Sequence, residues 1–376
     1  MKNILYSTIL IALFSVQLAL GQGCVAVRHM NMCSSTPGVA TPGASSSDLF
    51  KQKHGQWQVN TGYRYFRSFR HFRGDHEEQE RVENNTEVVN VSHNLDLGIT
   101  YQPTMRLSFS VNVPVLYNDR SSLYEHYGNS TTANPEQKRF HTGSQGIGDM
   151  RISGSYWVID PMKLPKMNFA LGLGVKLPTG NPGVEGDIHK LNQEKLDYII
   201  RKPVDQSIQL GDGGVGFSLE GQGYAQLGEQ TAVYFNGFYL FNPRETNNVV
   251  RNPGTTISPI DGYFSVADQF AARLGINQSL TMVKGLSLML GGRVEGVPAH
   301  DLIGGDAGFR RPGYIVSVEP GVAYMNQKLS IAATVPVALY RNRIKSYADR
   351  QDPTGQRHGD AAFADYLVSV SMSRWF

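Results

Sequence analysis

Asp149 and Arg151 stand two residues apart. Side chains two apart in an extended chain share a face. The two can therefore pair with each other or across strands, or contact a solute. The same parity carried along the chain gathers Arg64, Asp96, Arg106, Asp149, Arg151, Lys176, Glu220, Arg273, Arg293, Glu295 and Glu319 on one set of faces. Acidic and basic members nearly balance. Such a set either packs as ion pairs or lines water, because an isolated charge in a low-dielectric interior is costly. Tyr224, Tyr234 and Phe238 fall on the same faces. There they can contact a flat solute or simply fill space.

Other chemistry finds less support. The chain has no Gly-x-Ser-x-Gly, no His-Glu-x-x-His and no Walker loop. Twelve-stranded outer-membrane phospholipases carry a His and a Ser close together on an outward face. His93 is followed by Asn94 and Leu95, so an esterase is a remote alternative and no catalytic residue is expected. His71, His76 and the run Glu77-Glu78-Gln79-Glu80 can attract a divalent cation, but such runs are commonly solvated loop tips, here one facing lipopolysaccharide. No cofactor or metal is expected. Cys24 and Cys33 are the two cysteines, and a short-loop disulfide is their plain reading in an oxidising compartment. Lipidation of Cys24 is the alternative, against which Gln22 stands. A metal held by Cys24, His29 and Cys33 would lack a fourth ligand.

The elements that must position these residues begin with a leader. Lys2 precedes an apolar run from Ile4 to Leu20 that ends in Ala19-Leu20-Gly21, the form of a secretory signal. Residues 1–21 are read as that signal, 22–55 as a periplasmic segment with a Ser/Pro/Gly-rich linker at 34–47, and 56–376 as one domain. After the signal no stretch approaches the roughly 18 apolar residues of a membrane helix. Forty glycines, 18 tyrosines and 17 phenylalanines, with 18% charged residues, suit strands and aromatic girdles instead. A net charge of +3 argues against a nucleic-acid partner.

From Gln56 onward, apolar side chains alternate with small or polar ones. Met105, Leu107, Phe109, Val111, Val113 and Val115 alternate with Arg106, Ser108, Ser110, Asn112 and Pro114. Met167 to Leu177 and Leu329 to Leu339 repeat the pattern. The second face holds Gly, Ala and Ser with single charges, as the crowded inside of a modest barrel requires. The pattern predicts about twelve strands: 56–67, 90–101, 104–117, 147–159, 165–178, 213–226, 231–242, 266–280, 285–297, 312–325, 328–341 and 364–376. Short links alternate with long polar ones throughout. That is the topology of a closed antiparallel transmembrane β-barrel, all-β, with short periplasmic turns, longer external loops and both termini periplasmic. Tyr366, Val368, Val370, Met372 and terminal Phe376 form an end signal for the barrel assembly machinery. Arg374 occupies one lipid-facing position, where its long side chain can snorkel to the headgroups. Location in the outer membrane of a Gram-negative bacterium follows, with outer-membrane lipids and lipopolysaccharide as surroundings.

One block is more specific. Gly146-Ile-Gly-Asp-Met-Arg151 opens a strand, Lys176-Leu-Pro-Thr-Gly180 ends the next, and Leu210-Gly-Asp-Gly-Gly214 begins the one after. These motifs resemble the meta-pathway phenol-degradation family of outer-membrane transporters. The resemblance spans residues 55–376, with its specific motifs within 146–220. Asn181 stands where the family often has an acidic residue. It implies uptake of hydrophobic or aromatic solutes. The expected function is a channel or transporter for small solutes, the alternative a non-conducting structural or surface-interaction barrel.

Overall fold

The computed structural model describes residues 55–125 and 132–376. The expected signal, the linker, Cys24 and Cys33 lie outside the described residues. In chain order the strands are β1 (Gln56–Arg73), β2 (His76–Glu77), β3 (Val89–Gln102), β4 (Leu107–Ser122), β5 (Phe140–Ile147), β6 (Met150–Trp157), β7 (Met167–Leu177), β8 (Glu185–Leu191), β9 (Asp197–Pro203), β10 (Gly216–Gln226), β11 (Thr231–Phe241), β12 (Thr246–Val250), β13 (Tyr263–Ser265), β14 (Gln269–Ser279), β15 (Leu286–Val297), β16 (Gly313–Met325), β17 (Leu329–Thr334), β18 (Val337–Asn342) and β19 (Ala361–Trp375). β5 and β6 continue one another, as do β17 and β18. β2, β8, β9, β12 and β13 belong to the long loops. Twelve staves remain, each antiparallel to the next, and β19 pairs with β1 to close the ring. Closure removes the open edges that a sheet in lipid cannot leave unpaired.

The alternation of links holds. Turns such as Ser279–Leu286 and Met325–Leu329 join staves at one end, where Gln56 and Trp375 also lie. Loops that contain β8–β9 and β12–β13 join them at the other. Some staves run further into the loop end than expected, β1 reaching Arg73, β4 reaching Ser122 and β5 starting at Phe140, whereas β10 and β14 each start three residues later than expected. Pairing continues there above the apolar band, where hydrophobic alternation no longer marks it.

Outward residues form that band. Phe109, Leu171, Leu173, Leu274 and Leu290 are exposed, Leu173 by 70%. Trp57 packs on Tyr101 at the turn end, ring centroids 4.7 Å apart. Tyr63, Tyr65 and Tyr117 surround His93, and Arg67 and Asp119 follow them outward. About eight steps from Trp57 to Tyr65, at roughly 3.3 Å each and tilted by about 40°, cover roughly 20 Å, near the ~25 Å apolar height of such barrels. Arg374 is exposed on the same face, its guanidinium 5.3 Å from the Phe376 ring centroid.

Two staves are broken, and each break has a proline beside or within it. β4 pairs with β5 as far as Val115↔Ile147 and with β6 from Asn112↔Arg151. Between them Gly148 N donates to Pro114 O at 2.8 Å. Gly148 and Asp149 are both buried while Ile147 is exposed, so one extra residue restores outward parity, as a bulge does. A side chain at 148 would meet Pro114 Cγ at 3.0 Å and Leu210 O at 3.1 Å. Sequence alternation alone placed this strand's start at 147, because the inserted residue hides its first half.

Candidate functional site in the lumen

The inside is built in layers. At the turn end, Tyr224, Tyr234, Met289 and Ala323 form a buried cluster with Trp157 and Ala332 packed against it. Tyr224 and Tyr234 face each other across β10 and β11. Room for the Tyr234 ring comes from Gly275, where a Cβ would lie 2.5 Å from the tyrosine oxygen. Phe238 lies closer to the loop end, opposite Glu220, with the Arg151 guanidinium 5.1 Å from its ring centroid. The three aromatics therefore do not make one patch.

The next layer is ionic. Arg293 bonds Glu295 at 2.7 Å, and Arg273 and Arg293 each lie 3.5 Å from Glu319. Glu319 is wholly buried and Arg293 is 3% exposed. Arg273 also donates to Asn236 at 2.9 Å. Alongside, Arg151 pairs with Glu220 across β6 and β10, not with Asp149. Ser218 donates to the same Glu220 oxygen at 2.7 Å. Arg64 and Asp96 are buried on the inner faces of β1 and β3.

Arg106 departs from its expected place. β4 starts at Leu107, so strand parity does not reach residue 106. The turn directs its guanidinium over the outward Tyr156, 4.5 Å from the centroid, with Nε donating to Trp157 O at 3.0 Å. It braces the rim and does not line the lumen.

Above the ionic layer, the three motifs of the Gly146–Gly214 block meet. The Asp149 carboxylate accepts from Gly180 N and from Asp212 N, each at 3.0 Å. Lys176 pairs with Asp212. Thr179 Oγ1 donates to Gly148 O at 2.7 Å. This knot ties residues 204–212 to the wall. That segment folds into the lumen, where Val204, Ile208, Gln209 and Leu210 are buried. Asn118 and Ser144 of the wall both donate to Ile208 O, and Gln206 donates to Ser265 O at 3.2 Å on the opposite side.

Space remains on both sides of the segment. A cavity of about 120 Å³ lies against Arg64, Phe66, Leu116, Asp149, Lys176 and Leu210. A second, of about 250 Å³, lies outward of it, among Arg120, Glu125, Lys202, Asp205, Arg251 and Arg311. Arg311 lines both. It grips Asp205 with both guanidinium nitrogens, at 2.9 and 2.8 Å. Arg120 stands 3.6 Å from the same carboxylate. Burial would raise this carboxyl, but Arg120 and Arg311 outweigh it and hold it well below the usual carboxylate range. Sequence parity could not find Asp205 and Arg311, which lie 106 positions apart in loops without a period.

The remaining candidates resolve as local structure. His71 Nδ1 lies 2.5 Å from Asp360, and its Nε2 accepts from Val88 N at 3.0 Å. Both ring nitrogens are thus engaged. Glu78 and Asp360, which gather with His71, bind Arg73 and Arg81. His76 lies in the short β2 beside Glu77, which pairs with Arg70. His93 Nδ1 is 2.7 Å from the Tyr63 hydroxyl.

No family model matches the chain, and no curated sequence does. Among solved structures, an outer membrane channel from Pseudomonas putida F1 is 13% identical, with 86% of this chain and 97% of that one covered at a TM-score of 0.55. The Pseudomonas putida toluene transporter TodX is 12% identical over 90% of this chain and 93% of its own, at 0.43. The monoaromatic hydrocarbon channel CymD is 10% identical over 95% and 98%, at 0.43. The first likeness is one of fold, and with the pairing described above it makes this chain a closed twelve-stranded antiparallel β-barrel of the outer-membrane type.

Proposed function

We propose that this barrel is an outer-membrane channel for small solutes, hydrophobic or aromatic ones among them, held closed by residues 204–212. One observation carries the reading: this segment crosses the lumen with a cavity on either side of it, fastened by polar contacts. A purely structural barrel would gain by packing its interior with apolar side chains, since replacing buried ion pairs in that way is often neutral or stabilising. The layer of Arg273, Arg293, Glu295 and Glu319 keeps the interior polar down to the aromatic cluster. In this reading Arg64, Asp96, Asp149, Arg151, Lys176, Glu220 and the four residues of that layer line the solute pathway.

The non-conducting barrel is favoured by a different feature, the buried cluster of Tyr224, Tyr234 and Met289 near the turn end. The two readings part in liposome swelling with folded full-length protein. The channel reading expects swelling rates for small neutral solutes that fall with solute size once residues 205–210 are replaced by a short Gly-Ser linker, with the closed parent protein swelling far less. No swelling with any solute, from protein shown to be folded by its faster migration when unboiled, selects the structural barrel. In cells the mature chain, freed of residues 1–21, is expected in the outer membrane with both termini periplasmic, assembled through the Phe376 signal and surrounded by lipopolysaccharide. Recovery as a soluble periplasmic protein would remove the proposal.

A further inference from the structure

The outer cavity carries an excess of positive charge. Arg81, Arg120, Lys202, Arg251 and Arg311 line it, against Glu125 and Asp205. Lys202 is bound by Glu125 at 2.6 and 2.9 Å, and Arg81 by Glu78. Arg251 stands 3.7 Å from Asp261, which leaves two guanidinium groups, of Arg120 and Arg311, facing the single carboxylate of Asp205. Burial lowers the Arg251 guanidinium below its ordinary value and the neighbouring Arg311 adds to the shift, against the opposing pull of Asp261, Asp205 and Glu125.

Asp205 sits in a carboxylate receptor made by two arginines from outside its own segment. Arg311 supplies the two-pronged fork and Arg120 faces the second oxygen, while Ser207 of the same segment closes a local turn on Asp205 from its backbone N at 3.0 Å and its hydroxyl at 2.7 Å. A guanidinium fork suits any carboxylate, whether of the chain or of a solute. Directly inward, the smaller cavity offers an apolar side made of Phe66, Pro114, Leu116, Leu210 and Val297. The segment that Asp205 heads is the one that crosses the lumen.

We propose that the channel takes small carboxylates bearing a compact apolar body, and that Asp205 occupies their receptor in the closed state. This rests on the channel reading and names its solute class. An arriving carboxylate competes for Arg311 and Arg120, the fork releases Asp205, and residues 204–212 lose their hold on the loop that carries Arg311. The apolar body of the solute then passes along Phe66 and Leu116. Electrostatics decides admission at the mouth, because a charge near low-dielectric walls is poorly screened.

The test uses full-length protein, with benzoate as the probe and benzyl alcohol as its uncharged counterpart. In planar bilayers, Asp205→Asn is expected to raise open probability at least 5-fold, whereas Asp205→Glu stays closed like the parent. Millimolar benzoate should open the parent protein and leave Arg311→Gln unmoved, and benzyl alcohol should open neither. Calorimetry in detergent reads the receptor without conduction: benzoate binding should strengthen at least 5-fold in Asp205→Asn and fall at least 10-fold in Arg311→Gln. Arg311→Lys guards against misfolding and should keep partial binding. Equal responses to benzoate and benzyl alcohol, or an Asp205→Asn channel no more open than the parent, would overturn the carboxylate assignment. Silent bilayers together with Arg311-dependent benzoate binding would instead retire the channel reading, recasting the site as a surface receptor.

Discussion

Glu319→Gln probes the lumen most sharply. Glu319 is wholly buried, with Arg273 and Arg293 each 3.5 Å away and Glu295 bound to Arg293 at 2.7 Å. The native layer is neutral, with two guanidinium groups against two carboxylates. Removing one carboxylate leaves a net positive charge enclosed between β14, β15 and β16. Breaking a buried pair from one side costs about 3–5 kcal/mol, because the surviving charge keeps its desolvation penalty. Adding Arg273→Gln restores neutrality and should recover more than half of that loss. Urea unfolding in lipid vesicles, followed by the mobility difference between unboiled and boiled protein, gives the four corners of the double-mutant cycle. A cost below about 0.5 kcal/mol for Glu319→Gln, with no recovery in the double variant, would refute the reasoning. It would mean that water and ions already screen the layer.

Leu171→Arg and Phe109→Arg should each impair insertion by about 2–4 kcal/mol near the bilayer midplane, measured by the same mobility assay; insertion as good as that of the parent would show the faces to be reversed. Gly148→Val should loosen the break between β5 and β6, because Pro114, Leu116 and Leu210 leave no room for the side chain; limited proteolysis should then cut within residues 204–212, which stay protected in the parent. Acid should loosen the loops. Burial would raise the carboxyls of Asp349 and Asp360, but backbone and Arg343 contacts in the first case, and His71 and Arg81 in the second, hold them below the usual value of about 3.9. The stability they lend is present above that value and is lost as pH falls through and below it. Pepsin should therefore nick the long loops markedly faster at pH ~2.5 than at pH ~4.5, corrected for enzyme activity on an unfolded substrate; equal rates would count against these contacts.

Much of the wall was readable because a lipid-facing stave must alternate. Phe109 to Val115 and Met167 to Leu177 announced both their strands and their faces, and the long and short links fixed the topology. Parity failed where covalent geometry interrupts the period. The residue inserted at Gly148-Asp149 hid the start of its stave, and the turn before Leu107 took Arg106 out of the lumen. It also grouped Phe238 with Tyr224 and Tyr234, although a shared face along a strand is not a shared height. The Asp149, Lys176 and Gly180 motifs were visible as motifs. That they converge on Asp212 and anchor an inward segment depends on loop geometry that no periodicity encodes. The Asp205 receptor was invisible for the same reason. Its two arginines come from β4 and from the loop before β16.

The central claim, a conducting barrel closed by an inward segment, is tested most directly by replacing residues 205–210 with a short Gly-Ser linker. Asp149 and Asp212 remain to hold the wall knot. Folding is verified by heat-modifiable mobility, and conductance is recorded in planar bilayers. The account predicts long-lived openings where the parent protein is mostly closed. A variant that folds as well as the parent yet stays silent at every voltage would contradict it, leaving the aromatic cluster around Tyr234 as the true seal of a non-conducting barrel.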